Sequence, residues 1–331
     1  MNIDSSDRLS DVVDPDYVAL RDAVGWCGWD RFTRYLVHGA DREKFLQAYC
    51  TNDVVRLEPG QGCEAFVPNG QGKAIGFVNL FRESDRIVLE TTPDQGPTLV
   101  NHLDRYLLRS DVRFEDDAPR VRRMMVAGPA AREWLSGQLP GGPLPEALPS
   151  SRGLQWRGQT LWVARLRWLL PDCYLIAVDL EHATSWFDHL RDSGIRECNA
   201  AAVECCRIES GTPWFGSDIT PDNLPQELGI DDRAISFKKG CYLGQETIAR
   251  IDALGHVNWM FRMFQFQSDG LPPVPFELTS QGKRVARITS TTWSPRLAAP
   301  LGLGYVRRGH HADGTTLECP EATAKVLTRI L

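Results

Sequence analysis

The stretch Lys238-Lys239-Gly240-Cys241-Tyr242-Leu243-Gly244-Gln245-Glu246 sets one thiol between two cations and a segment, Thr247 to Ile251, that reads as a helical turn. Gly240 and Gly244 admit backbone conformations closed to other residues, so a tight, irregular turn is expected. A helix starting behind the turn points unpaired N–H groups back at it and makes a partly positive pocket. A thiol near Lys238, Lys239 and such a helix start is expected to ionise more readily than a free one. The chemistry on offer is that of a nucleophile or a soft ligand. A buried cysteine packed beside a glycine turn is the plainer alternative.

Two other constellations set polar groups beside aromatic ones. Arg207-Ile208-Glu209-Ser210-Gly211 ends a helical stretch and feeds Thr212-Pro213-Trp214-Phe215-Gly216-Ser217-Asp218. Glu209 there can accept paired N–H donors from a flat heterocycle such as a pterin or purine, with Trp214 and Phe215 stacked on it. The alternative is a surface Arg–Glu pair whose neighbouring aromatics pack the next domain. Gln47 and Thr51-Asn52-Asp53 follow a helical stretch, where amides and hydroxyls either line a pocket or satisfy the turn's own backbone. No Gly-x-x-x-x-Gly-Lys-Ser/Thr loop, Gly-x-Gly-x-x-Gly turn or Gly-x-Ser-x-Gly elbow occurs. His310-His311 reads as solvated surface.

The cysteines divide in the same way. Nine are scattered along the chain, with no Cys-x-x-Cys pair and no Cys/His cluster at zinc spacing, so no structural metal is expected. Cys27, Cys50, Cys63, Cys173, Cys198, Cys205, Cys206 and Cys319 read as reduced core thiols, which leaves Cys241 in the special setting.

The elements that must position these groups follow from periodicity. A chain of 331 residues exceeds one typical core, so two or three domains are expected. With 42% hydrophobic and 24% charged residues it is globular, and a net charge of −6 argues against a surface that coats nucleic acid. Residues 1–16 read as a polar tail without the apolar core of a signal peptide, and no run approaches the roughly 18 apolar residues that span a bilayer. A cytoplasmic protein that neither enters membranes nor binds nucleic acid is expected. Residues 17–111 read as a first α+β lobe, with strands at 31–38, 64–67, 74–82 and 86–91 and helices from Asp41 and from about Gln95. Residues 112–199 read as a second α+β lobe, and 200–255 return to the first. The irregular segment 211–235 is long enough to be functional. Short strands over 256–331 read as a small all-β domain.

In this order the pieces resemble the folate-binding YgfZ branch of the glycine-cleavage T-protein (aminomethyltransferase) family. Lys239 to Glu246 matches the branch signature Lys-Gly-Cys-Tyr/Phe-x-Gly-Gln-Glu, extended through Thr247 to Arg250. Gly39-Ala40-Asp41 to Gln47 with Thr51-Asn52-Asp53-Val54 matches the N-terminal block. Arg207 to Gly211, Phe215 to Asp218 and Pro225-Gln226-Glu227 match the middle block. The resemblance implies a three-lobed α+β ring ending in a β-barrel, with tetrahydrofolate in the central channel. It implies Glu209 as the pterin anchor, Lys238 or Lys239 as a basic folate contact, Phe32 as a lining aromatic, and Asn52 and Asp53 in the lining block. Val203 stands where a second lining aromatic is found in the branch. Aminomethyltransferases carry an acidic residue in the region that here reads Thr92 to Leu99, where Asp94 is out of register, and they lack the thiol of Cys241. The resemblance thus implies an accessory protein for iron–sulfur enzymes, including those that modify tRNA. Cys241 would be the essential thiol, Lys239 would lower its pKa, Gln245 and Glu246 would position the turn, and the protein would be a monomer without a metal of its own. A folate-dependent aminomethyl- or methyltransferase using Asp94 or Glu209 stays open beside it.

Overall fold

The computed structural model describes residues 13–169, 171–268, 270–280, 282–319 and 322–328. The first twelve residues of the expected tail lie outside these. The tail ends earlier than residue 16, because helix α1 (Pro15–Asp22) begins there: Pro15 presets its first turn, and the Asp14 carboxylate accepts from the Asp16 N–H at 2.8 Å. Strands β1 (Gly25–Gly28) and β2 (Thr33–His38) follow, then α2 (Arg42–Tyr49), β3 (Gly62–Pro68), β4 (Ala74–Arg82), β5 (Ile87–Thr91), α3 (Gly96–Asp104) and β6 (Arg113–Asp116). Next come β7 (Val121–Ala127), α4 (Ala131–Gln138), β8 (Ser150–Trp156), β9 (Gln159–Leu166), β10 (Cys173–Asp179), α5 (Leu180–Asp192), β11 (Arg196–Glu197) and α6 (Ala200–Glu209). The expected irregular segment holds a 3-10 turn (Pro225–Leu228) and α7 (Asp231–Ala234), and α8 (Gln245–Leu254) follows. The chain then runs through β12 (Trp259–Gln267), β13 (Phe276–Ser280), β14 (Lys283–Ser294), β15 (Ala299–Arg307), β16 (Thr316–Cys319) and β17 (Ala322–Leu327).

Three sheets organise the molecule, with orders β3-β4-β5-β2-β6, β11-β1-β7-β10-β9-β8 and β13-β14-β15-β12-β17-β16. The last is the curled antiparallel barrel domain expected from the short C-terminal strands. The first two lobes exchange strands. β1, placed by its sequence position in the first lobe, pairs with β7 and β11 of the second sheet, and β6, beyond residue 111, pairs with β2 of the first. Alternation explains why β1 fits there: Cys27 enters the core shared by the first two sheets, and Trp26 enters the core beneath α4 and α5. A third core lies under α2 and α3, a fourth joins the barrel to residues 208–248, and a fifth fills the barrel. Among the described residues no helix is long and apolar enough to cross a membrane.

Candidate functional site

The cysteine turn is fixed on several sides. Gly244 has φ +78°, and a Cβ there would lie 2.4 Å from the Asn69 carbonyl oxygen, so glycine alone lets the turn rest on the β3–β4 hairpin. The Leu243 N–H donates to the Ala48 carbonyl at 2.9 Å, which ties the turn to α2. Tyr242 is buried in the core that also holds Ile208 and Phe261. Cys241, between these anchors, is exposed, whereas Cys27, Cys50, Cys63, Cys173, Cys198, Cys205 and Cys206 are buried.

Two expectations for this turn are corrected. Gly240 has no left-handed φ, and a Cβ there would meet no atom within 4 Å, so the conformational demand falls on Gly244. The Lys239 ammonium, expected to activate the thiol, is instead buried against the end of α2. It donates to the carbonyls of Gln47, Cys50 and Asn52 at 2.6, 2.7 and 2.7 Å. It thereby caps carbonyls that a helix end leaves unpaired. Burial pulls its pKa below the ordinary lysine value, and the Cys50 and Asp53 charges oppose this. Lys238 and Glu246 are exposed and Gln245 is half-buried, with Gln245 and Glu246 opening α8.

The block after α2 takes the second of its two readings. Asn52 Nδ2 donates to the carbonyls of Glu64 and Arg233, both at 2.7 Å. Gln47 accepts from the Val54 N–H at 2.7 Å and donates to Asp53 at 3.1 Å. Thr51 Oγ1 donates to the Ala234 carbonyl at 2.6 Å and accepts from the Phe66 N–H at 2.9 Å. These groups close their own turn and tie it to α7.

Where the lobes meet, Phe32 joins an aromatic cluster. Its ring stacks on Trp29 at 3.8 Å between centroids, with Trp168 at 5.4 Å and Trp214 edge-on at 5.2 Å. Trp168 is a second aromatic beside Phe32, whereas Val203 is a buried aliphatic of the same core. Phe215 lies apart, in the core of the barrel junction. Arg207 is fully buried, not a surface partner of Glu209: it pairs with Asp218 at 2.6 Å and Glu204 at 2.5 Å and lies over the Trp214 ring at 4.8 Å. Glu209 is buried at the end of α6, where both of its oxygens accept from the Tyr17 hydroxyl, at 3.1 and 2.9 Å. One also accepts from Ser294 at 2.5 Å. Burial, then the Glu209 charge, raises the Tyr17 pKa far above the ordinary phenol value. Sequence reasoning missed Tyr17, Trp29, Trp168 and Ser294. Trp29, three residues before Phe32, gave some signal, but Ser294 gave none. Asp94 is exposed at φ +62° ahead of α3, whose first turn is occupied by Gly96 and Pro97.

With these residues in place, the comparisons are decisive for the family. Residues 4–239 match the GCVT N-terminal domain and residues 262–330 the glycine cleavage T-protein C-terminal barrel domain. The chain belongs to the glycine-cleavage T-protein family. An aminomethyltransferase of Nostoc sp. is 25% identical over 301 residues, covering 88% of this chain and 79% of its own length. A putative chloroplastic transferase of Arabidopsis thaliana is 23% identical over 330 residues, covering 99% of this chain and 74% of its own. The crystal structure of glycine cleavage system aminomethyltransferase T from Bartonella henselae aligns with a TM-score of 0.83 over 95% of this chain and 88% of that one, at 20% identity, so the two share a fold.

Within this T-protein fold, a cleft of about 1090 Å³ opens between the first two lobes, lined by Arg34, Arg86, Arg120, Arg152, Trp162 and Asp179 among others. Cys241, Glu209 and Phe32 are not in its wall. The cysteine turn and the end of α6 are linked through packing, since Tyr242 and Ile208, neighbours of Cys241 and Glu209 in sequence, share one core. Among the described residues no group of three His, Cys, Asp or Glu side chains could hold a metal ion.

Proposed function

We propose that this T-protein relative is a tetrahydrofolate-binding accessory protein of the YgfZ branch, working through the Cys241 thiol on iron–sulfur enzymes, including those that modify tRNA. The observation that carries the reading is the exposure of Cys241 on a turn anchored at Lys239, Tyr242, Leu243 and Gly244. The seven buried cysteines among the described residues are poorly suited to that work. Burial raises every one of them, Cys173, Cys198 and Cys205 to about 12, and so holds them as inert thiols. The choice of iron–sulfur clients rests on the likeness of Lys239 to Glu246 to the branch signature.

The aromatic cluster fits a reduced pterin on one structural observation. The indole N–H groups of Trp29 and Trp214 are buried there without a hydrogen-bond partner, and a flat heterocycle with carbonyl and ring-nitrogen acceptors would satisfy them. Phe32, Trp168 and Trp214 would enclose its faces. Tetrahydrofolate, when bound, supplies a nitrogen-rich ring able to carry a one-carbon unit.

The names of the relatives favour a second reading, aminomethyl transfer. The exposed setting of Asp94 weighs against it, because a general acid or base must be held at the reacting atoms. The deciding experiment replaces the native copy in cells with Cys241→Ser. Loss of iron–sulfur enzyme activity with normal protein levels is expected, and retained activity sinks the accessory reading. Release of methylene-tetrahydrofolate from an aminomethyl donor by the purified protein would establish the transferase instead.

A further inference from the structure

One face of the first sheet carries a row of polar side chains. Glu64 lies opposite Asn79, Asn79 opposite Glu90, and Glu90 opposite Arg34, so the two-residue repeat sets all four on one face. Leu36, Phe81 and Val88 on that same face build the core shared with the second lobe. Arg34 and Glu90 are fully partnered: Arg34 bonds Glu90 and Asp117, and Glu90 also receives Arg123.

At the other end of the row the pairing stops. Asn79 is 1% exposed and Glu64 2% exposed, yet Asn79 Oδ1 and Glu64 Oε2 accept no hydrogen bond among the described residues. Arg233 Nε comes within 3.2 Å of Glu64 Oε2, but the two are not aligned for a hydrogen bond and Arg233 Nε is itself unsatisfied. Buried acceptors in folded proteins are met by protein, water or ligand, and leaving two side by side is costly.

The row adjoins the aromatic cluster. Arg123, which bonds Glu90, also donates to the carbonyls of Asp30 and Phe32. Arg167, adjacent in sequence to Trp168, is near enough for its charge to act on Glu64. The unsatisfied groups on this side of the sheet thus include two acceptors, on Glu64 and Asn79, the indole donors of Trp29, Trp162 and Trp214, and the Nε donors of Arg123, Arg167 and Arg233.

We propose that Glu64 and Asn79 are the ring-recognising edge of the folate site, accepting the neighbouring N–H donors of the amino-oxopyrimidine ring while the indoles meet its acceptors. The assignment rests on the folate reading above and moves the ring anchor away from Glu209, whose oxygens are already met by Tyr17 and Ser294. A buried carboxylate oxygen met by a cation at 3.2 Å but by no aligned hydrogen bond leaves a poor ion. Burial raises the Glu64 pKa despite Arg233 and Arg167, and two N–H donors aimed at it would relieve that cost.

The test titrates the purified protein with tetrahydrofolate under anaerobic conditions, by calorimetry, for wild type, Glu64→Gln, Asn79→Ser and Glu209→Gln. Thermal unfolding without ligand verifies that each variant folds. Glu64→Gln is expected to weaken binding at least about tenfold, because a charge-assisted acceptor is replaced by an amide. Glu209→Gln is expected to weaken it less than Glu64→Gln does. If Glu64→Gln does not fold, Asn79→Ser carries the same comparison. Binding by wild type that survives both substitutions within about threefold overturns the assignment and leaves the two acceptors holding buried water. Failure of wild type to bind tetrahydrofolate overturns the folate reading and this assignment with it.

Discussion

The Lys239 ammonium donates to the carbonyl oxygen of Cys50 at 2.7 Å, so the cation two residues before the exposed thiol is a clamp on the end of α2. Two more carbonyls, of Gln47 and Asn52, share it. Lys239→Met strips all three carbonyls of the ammonium, leaving that of Asn52 only the Cys50 thiol, and is expected to cost roughly 2–4 kcal/mol. Lys238→Met, at an exposed position, is expected to stay within about 0.5 kcal/mol of wild type. Urea unfolding of the two variants is the measurement. Equal effects would remove the cap from the account of this turn.

The two glycines of the motif separate in the same way. Gly244→Ala forces a Cβ to 2.4 Å from a backbone oxygen at φ +78° and is expected to cost roughly 1–3 kcal/mol. It should also loosen the turn and speed alkylation of Cys241. Gly240→Ala meets nothing and is expected to be neutral within about 0.5 kcal/mol. Alkylation rates followed by mass mapping, beside thermal unfolding, would show whether the motif's geometry depends on one glycine or both.

Asp218 accepts from Arg207, from the Trp214 N–H, and from Thr289 and Ser290 of the barrel. It therefore joins α6, the loop that follows and the C-terminal domain. Arg207→Met removes the only cation paired with this fully buried carboxylate among the described residues. Breaking such a pair from one side is expected to cost about 3–5 kcal/mol. Loss of the C-terminal domain's protection in limited proteolysis is the matching readout, and unchanged protection would show that the barrel docks by apolar packing alone.

What the sequence revealed, and what it hid, follows the range of each interaction. Cys241, Gly244 and α8 were legible because turn chemistry and helix signals act within a few residues. The strands were legible from alternation, except short ones such as β1 and β11, which exist only because distant partners receive them. Lys239 was misread because its acceptors lie about 190 residues earlier, at Gln47 and Cys50. Glu209 was legible as a carboxylate able to accept paired N–H donors, or else as half of a surface pair with Arg207, but not as one saturated by Tyr17, a residue that the sequence reading left without a role. Glu64 and Asn79 were invisible as a pair. Each alone reads as an ordinary polar residue in a strand, and only the register of β3 on β4 sets them side by side.

A last prediction concerns acid and α7. Asp231, at the start of that short helix, is raised to about 6 from an ordinary 3.8, first by burial and then by the charges of Asp252 and Asp232. A carboxyl whose pKa is higher folded than unfolded favours the folded state while it is protonated. That contribution is complete below about pH 3.8 and is lost as the pH rises through about 6. Wild type therefore carries the cost of an ionised Asp231 at neutral pH, which Asp231→Asn removes. The full shift corresponds to about 3 kcal/mol, and screening around a half-buried side chain reduces it to about 1–2 kcal/mol. Asp231→Asn is expected to be more stable than wild type by that amount at pH 7 and indistinguishable from it below about pH 4. Asp252→Asn should recover a smaller part, because it removes one repelling charge and leaves the burial. Urea unfolding across that pH range decides the matter: a constant difference between variant and wild type would mean that Asp231 does not titrate in this window.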